Sequence, residues 1–134
     1  MLRLAHERDE IRVVADQHGC PTGASDLAET ALLMLPRLLS DPLAPIGIYH
    51  CANQGETTWA EFARTVMRES AFLGGPTATI VDIPTTDYPT LAKRPHNSRL
   101  SCDKLQREWG IKMRPWQAMA AETIAALLHE KGQA

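Results

Sequence analysis

Two stretches of the chain carry side chains suited to a polyanionic, hydroxyl-rich ligand. One is Lys93-Arg94-Pro95-His96. A guanidinium can bind two oxygens of a diphosphate at once, and a lysine ammonium adds a freely placed second cation. Pro95 biases Arg94 towards extended backbone, which can project its side chain into a cleft. The same residues also read as a solvated basic loop, because exposed arginine is common and Arg99, Lys104 and Arg107 nearby need no ligand. The other stretch is Gln17-His18-Gly19-Cys20-Pro21-Thr22. The Gln17 amide offers a donor and an acceptor, which suits a base edge or a sugar hydroxyl. Gly19 and Pro21 would set a tight turn that holds Thr22 in place. The alternative is a structural turn that feeds the next helix. The candidate ligand-binding residues are Arg94, Lys93, Gln17 and Thr22.

Other chemistries find little support. His18, Cys20, His50 and Cys51 have spacings that match no common zinc site, so no metal is expected. His50 and Cys51 are expected in the core, and His96 exposed in its loop. No Gly-x-Ser-x-Gly occurs. The carboxylates sit where helix caps and surface charges belong, with no convincing catalytic pair. Asn53 stands four residues after Tyr49 and Ala92 four after Tyr88, so neither tyrosine heads a Tyr-x-x-x-Lys. No Gly-x-x-Gly-x-x-Gly is present to seat a pyrophosphate at a helix N-terminus. No residue is therefore assigned to catalysis or to cofactor binding.

The elements that must position these residues follow from periodicity and punctuation. Leu2 to Asp9 reads as the end of a helix with no capping residue before it, a hint of truncation. Ile11 to Ala15 is a short strand, and Asp16 to Ser25 a loop. Asp26 is placed to cap the next helix, with Glu29 completing a capping box. Leu27, Ala28, Ala31, Leu32, Leu35, Leu38 and Leu39 form a wide apolar stripe on it, and Pro36 predicts a kink or break. Ile46 to Ala52 is apolar at odd and even positions, as in a strand buried on both faces of a parallel sheet. Thr58 and Glu61 cap a helix whose buried side holds Trp59, Phe62, Ala63, Val66 and Met67. A glycine-proline loop, Phe72 to Ala78, leads to the strand Thr79 to Ile83. Pro84 to Ser98 is a long loop of the kind that is usually functional or disordered. Ser101 or Cys102 opens a helix over Asp103 to Trp109, which Gly110 ends. The last helix runs from Trp116 to Lys131, with Gly132 past its end.

A chain of 134 residues suits one domain and could bury about two-thirds of its unfolded surface. The net charge of −2 argues against a general binder of nucleic acid or anionic membrane. No apolar run approaches the roughly 18 residues of a membrane span, and the early charges do not suit a signal peptide. Three widely spaced cysteines suggest reduced thiols in a cytoplasmic protein.

Taken together, the blocks resemble the C-terminal half of the dTDP-4-dehydrorhamnose reductase family, extended short-chain dehydrogenase/reductases that act on a nucleotide-sugar. The resemblance lies in Asp16-Gln17-His18-Gly19-Cys20-Pro21-Thr22 with Asp26-Leu27-Ala28, and in Gly47-Ile48-Tyr49-His50. It continues through Glu56-Thr57-Thr58-Trp59 with Glu61-Phe62, then Ala92-Lys93-Arg94-Pro95-His96-Asn97-Ser98-Arg99-Leu100. Asp103-Lys104-Leu105 and Trp109-Gly110 close the series. The resemblance implies an α/β, Rossmann-type fold with short strands and about five helices. It makes residues 1–134 the substrate-binding portion, with the N-terminal cofactor-binding domain absent. It implies that Arg94 faces the diphosphate of a dTDP-sugar. It also implies that the complete protein reduces the 4-keto group of dTDP-6-deoxy-L-lyxo-4-hexulose with NADPH (or NADH), in dTDP-L-rhamnose synthesis. In that reaction hydride goes to C4 and a tyrosine supplies the proton. This chain has neither the glycine-rich loop nor the Tyr-x-x-x-Lys pair, so it is expected to be inactive alone and to need an N-terminal half or to self-associate. Ser101 stands where the family often has an acid; a hydroxyl can still cap the following helix. Two other readings stand beside this one. One is a non-catalytic binding or regulatory module, as in a reductase-like subunit of methionine adenosyltransferase. The other is part of another nucleotide-sugar reductase or epimerase.

Overall fold

A computed structural model describes residues 1–131, so the expected role of Gly132 lies outside the described residues. The elements run α1 (Leu2–Ala5), β1 (Glu10–Val14), β2 (His18–Gly19), α2 (Ala24–Ser40), β3 (Thr57–Thr58), α3 (Trp59–Phe72), β4 (Thr79–Ile83), α4 (Asp103–Trp109) and α5 (Trp116–Lys131). The mixed α/β class and the five helices agree with expectation.

The two longer strands pair in parallel, with Ile11 opposite Ile80 and Val13 opposite Asp82. A parallel pair needs a long crossover, which α2 and α3 supply between β1 and β4. Ile11 and Val13 alternate with exposed Arg12 and turn into the core. There they meet Ala60, Ala63, Val66 and Met67, spaced along one face of α3. Ala60 and Ala63 are completely buried, and their small size lets the helix lie close. Trp116, Met119, Ala120 and Ile124 of α5 close the other side, and Leu2 and Ala5 of α1 cover one end.

The punctuation is largely as read. The Thr58 hydroxyl accepts the Glu61 N–H at 3.2 Å and caps α3. The Glu61 carboxylate does not reach back to complete the box; it pairs with Arg64, which also holds Asp82 of β4 at 2.5 Å. Ser101 Oγ accepts the Asp103 N–H at 3.3 Å at the start of α4. Gly110 ends that helix in the left-handed region, at φ 68°.

Five expectations are corrected. First, Ile46 to Ala52 forms no strand, and Ile46 and Ile48 are 84% and 85% exposed. Among the described residues no strand lies beside it to form a ladder. Lys104 Nζ donates to the Ile48 carbonyl, and the Tyr49 hydroxyl donates to Glu108 at 2.6 Å, so the segment leans on α4. Second, His50 is exposed and Cys51 half-buried, because the segment that carries them is not in the core. Third, the leucine stripe of α2 is bare: Leu27, Leu32, Leu35, Leu38 and Leu39 are exposed. Amphipathic spacing signals a face that wants cover; it does not supply the cover. Fourth, α2 begins at Ala24, and of the kink or break expected at Pro36 the break does not occur: the helix runs on to Ser40. The Leu32 carbonyl deprived of a partner by Pro36 lies on an exposed stretch, where water can satisfy it. Asp26 accordingly sits in the first turn and is no N-cap; its carboxylate turns inward, and the Gly23 carbonyl accepts the first helical bond, from Leu27. Fifth, Trp59 is 51% exposed, because it flanks the buried Ala60–Ala63 face.

Candidate functional site

His18 is the crossing point of three loops. On one side it pairs antiparallel with Thr58, as part of the two-residue ladder of β2 and β3. On the other it forms a parallel bridge with Asn97: its N–H donates to the His96 carbonyl at 2.8 Å, and the Ser98 N–H donates to its carbonyl at 2.9 Å. The Ser98 hydroxyl adds a second donor to that carbonyl. Gly19 makes the approach feasible, since a Cβ there would stand 3.0 Å from Ser98 Oγ. An ion pair between Arg99 and Glu56 at 2.7 Å ties the outer loops together again. The Arg94 loop, the Gln17 loop and the N-terminus of α3 are thus laced together by local hydrogen bonds.

The start of the long loop is held as firmly. Thr85 donates to Asp16 through its hydroxyl at 2.6 Å and its N–H at 3.0 Å. These bonds, the hydroxyl first, hold the Asp16 carboxyl below its ordinary value, so it stays charged at neutral pH. Gln17 Nε2 donates to Thr85 Oγ1 at 3.1 Å. That leaves the Gln17 carbonyl oxygen with no protein donor among the described residues.

Beneath the turn lies a buried polar network. Asp26, 4% exposed, accepts two bonds from Arg114 Nε at 3.0 Å, one from Arg114 Nη2 at 2.7 Å and one from Asn53 Nδ2 at 2.5 Å. The Arg114 bonds lead in holding its carboxyl below the usual range. The Asn53 side-chain oxygen accepts the Gly23 N–H, and the Asn53 N–H donates to the Thr22 hydroxyl at 3.3 Å. Thr22 in turn donates to the Cys20 carbonyl. The Thr22 hydroxyl thus serves the turn.

Two adjoining hollows share Trp59 as a wall. The larger, about 630 Å³, is lined by Ile11, Val13, Val14, Gln17, Tyr88 and Arg94 among others. The smaller, about 200 Å³, lies over Gly19, Pro21, Thr22 and Ser98. Only the larger falls in the roughly 300–1,000 Å³ range of small-molecule sites. The fold therefore brings Gln17 and Arg94 to one cleft, sets Thr22 across Trp59 from them, and leaves Lys93 exposed on the loop outside both linings. Arg94 makes no hydrogen bond or ion pair among the described residues, whereas Arg99, at a third cleft of about 490 Å³, is already engaged by Glu56 and Asn97.

Residues 1–129 match the family model described as the RmlD substrate binding domain. The chain belongs to this family. It is 44% identical over 131 residues to the dTDP-4-dehydrorhamnose reductase of Sinorhizobium fredii, covering 97% of this chain and 44% of that protein. Against the Escherichia coli K12 enzyme of the same name it is 43% identical, covering 87% and 40%. A crystal structure of the Clostridium acetobutylicum reductase superposes with a TM-score of 0.83 at 29% identity, over 95% of this chain and 42% of that one. The Bacillus anthracis reductase, solved in complex with NADP, gives 0.74 at 30% identity, over 93% and 41%. The chain spans less than half the length of these relatives.

Two of the positive-φ glycines among the described residues stand at the wrong end of a helix for a pyrophosphate. These, Gly74 and Gly110, follow helix C-termini, where carbonyls and not N–H groups point outward. A pyrophosphate cradle needs the opposite end of a helix. Among the described residues no three His, Cys, Asp or Glu converge as a metal cage, and no helix is long and apolar enough to cross a membrane. Two residues of the domain's cleft escaped sequence reasoning, Trp59 and Tyr88. Both are large aromatics left about half exposed, at 51% and 57%. The spacing of α3 hides Trp59 beside a genuinely apolar face, and Tyr88 lies in a loop without periodicity.

Proposed function

We propose that this chain is the nucleotide-sugar-binding portion of a dTDP-4-dehydrorhamnose reductase-type oxidoreductase, and that the cleft between Gln17, Trp59 and Arg94 receives the dTDP-sugar. In this reading Arg94 binds the diphosphate, Lys93 adds a mobile cation at the rim, and the free carbonyl oxygen of Gln17 accepts from a base or sugar donor. Thr22 acts at one remove, by holding the turn that carries Gln17. The chain's share of the reaction is to bind and orient; a nicotinamide cofactor would supply hydride from a separate half, and no residue here is assigned to that step. That half is also the proposed partner for the bare leucines of α2 and for the 46–52 segment. In a cytoplasmic dTDP-L-rhamnose pathway the whole would act on the 4-keto sugar nucleotide.

The observation that carries the reading is the unengaged Arg94 in a cleft of ligand size, in a chain whose family model is a substrate-binding one. A charge-assisted bond to the diphosphate predicts that Arg94→Ala weakens dTDP affinity by about 10- to 150-fold. Calorimetry with dTDP on this chain, joined to the cofactor-binding half of a relative, measures it. Equal affinities for the two proteins would remove Arg94 from the site.

A further inference from the structure

Cys20, Cys51 and Cys102 are far apart in the chain, yet the fold draws them to one place, and all three are free and half-buried. Burial leads in pushing the Cys102 thiol up from its ordinary value, with the Cys51 and Cys20 thiols and Asp103 adding to it. Cys51 and Cys102 are the pair that stands abreast. Lys104 Nζ donates to the Ile48 carbonyl, the Tyr49 hydroxyl donates to Glu108, and the Cys102 thiol points at the Ala52 carbonyl at 3.8 Å. The Tyr49 ring also meets the Trp109 ring edge-on at 6.4 Å. The 48–52 segment and α4 thus run past each other in opposite senses, which sets Cys51, next to Ala52, beside Cys102. The Cys51 thiol donates to Met113 Sδ at 3.6 Å, and Met113 and Cys102 line the same cleft of about 490 Å³. Both thiols have only weak partners, because sulfur is a poor hydrogen-bonding group. Cys102 stands at the N-cap of α4 and spends no side-chain bond on the cap. Either side chain can therefore turn without breaking a strong contact. Cys102 also faces the open cleft, where a small oxidant can reach it, while Cys51 does not line that cleft.

We propose that Cys51 and Cys102 are a peroxide-sensitive pair whose disulfide staples the 46–52 segment to α4. The Cys102 thiolate attacks one oxygen of hydrogen peroxide. An S–O bond forms, the O–O bond breaks, and the departing hydroxide takes up a proton as water. The Cys51 thiolate then attacks the Cys102 sulfur. The S–S bond forms, the S–O bond breaks, and a second water leaves. Two thiols lose two electrons and two protons in total, and one peroxide is reduced to two waters. Cys102 is mostly protonated at neutral pH, so the first step is slow and answers to sustained peroxide. In a reducing compartment the pair rests as thiols, and disulfides that form there are mostly transient and redox-sensing. The pairing does not depend on what the larger cleft binds.

Trypsin puts the three thiols in separate peptides, 13–37, 38–64 and 100–104. The chain, alone and joined to the cofactor-binding half of a relative, is treated with hydrogen peroxide, blocked with iodoacetamide and mapped without reduction. The expected product is a bond between peptides 38–64 and 100–104, with Cys20 alkylated and dithiothreitol reversing the change. That bond should raise the thermal midpoint by about 10 °C. The rise should persist in Cys20→Ser and disappear in Cys51→Ser and in Cys102→Ser. The peptide map needs no variant, so a serine variant that folds poorly leaves the test intact. A bond from Cys20 to Cys102, a bond between two copies of the chain, or three thiols still open to alkylation after excess peroxide would each overturn the proposal. So would a bond that forms in the chain alone and not in the joined protein.

Discussion

Asp26 and Asn53 decide whether the turn that carries Gln17 has one shape. Asp26 is buried, and Arg114 brings two of its guanidinium nitrogens to it. Removing one member of such a pair leaves the other without its partner, at a cost of about 3–5 kcal/mol in fully buried cases. Arg114 is a third exposed and also pairs with Glu122, so the lower end applies. Asp26→Ala is expected to cost about 3 kcal/mol, read from the urea midpoint. The pH dependence has a definite sign. The folded-state value of Asp26 lies below the ordinary 3.8. Its contribution is therefore complete above that value, and is lost as pH falls through the lower folded one. Stability should hold from neutral pH to about 5 and decline below about 4. Asp26→Asn should flatten that decline; an unchanged acid limb would show that other carboxylates govern it.

At the level of elements, α3 matters most, because it builds the core with one face and delivers Trp59 to the cleft with its first residue. Its start is defined by one hydrogen bond, Thr58 Oγ1 to the Glu61 N–H. Losing an N-cap of this kind costs about 1 kcal/mol. Thr58→Ala should lower stability by that amount, and Thr58→Ser should recover it, both measured by chemical denaturation. Because Thr58 is also a rung of the β2–β3 ladder through its backbone, the alanine variant should keep the ladder and fray only the first helical turn. Amide exchange at Glu61 faster than in the parent, with His18 unchanged, is the expected pattern. The far end of α3 has a different constraint. A Cβ on Gly75 would stand 2.6 Å from Ser70 Oγ and 2.9 Å from Leu128, so Gly75→Ala should loosen the contact between α3 and α5. A lower urea midpoint with unchanged dTDP affinity would be the signature.

For the whole molecule, the exposed apolar surface is the main fact. The α2 leucines and, separately, Ile46 and Ile48 are large apolar residues left in water, and exposed apolar surface of this kind marks interaction sites. The 46–52 segment adds backbone groups that have no ladder partner among the described residues, as at an open sheet edge. A cofactor-binding half with a free strand edge would answer both features. Leu32 and Leu39 lie seven residues apart, on one face of α2. Leu32→Glu with Leu39→Glu should therefore abolish binding of the chain to a separately produced cofactor-binding half, followed by sedimentation. The parent should form a one-to-one complex. A chain that prefers its own kind in the presence of that half would overturn the assignment of this face.

Much of the organisation was legible in the sequence because it depends on local chemistry. The Thr58 cap, the Gly110 stop, the β1 and β4 strands and the α3 stripe each follow from spacing and hydrogen-bonding capacity within a few residues. The family resemblance, confirmed by the match over residues 1–129, depended likewise on short blocks read in order. What the sequence could not contain is which apolar surfaces find a neighbour. Ile46 to Ala52 and the α2 leucines have the pattern of buried elements, yet burial is a property of two surfaces, and among the described residues none packs over Ile46, Ile48 or these leucines. The same limit hid Trp59, whose spacing beside Ala60 and Ala63 reads as core although the packing leaves it at the mouth of a cleft. It also hid the roles of Gln17 and Thr22. Both sit in the same short turn, but Thr22 is consumed by Cys20 and Asn53 while Gln17 keeps a free oxygen at the cleft. That division depends on residues 31 to 68 positions away, so only the tertiary structure could make it.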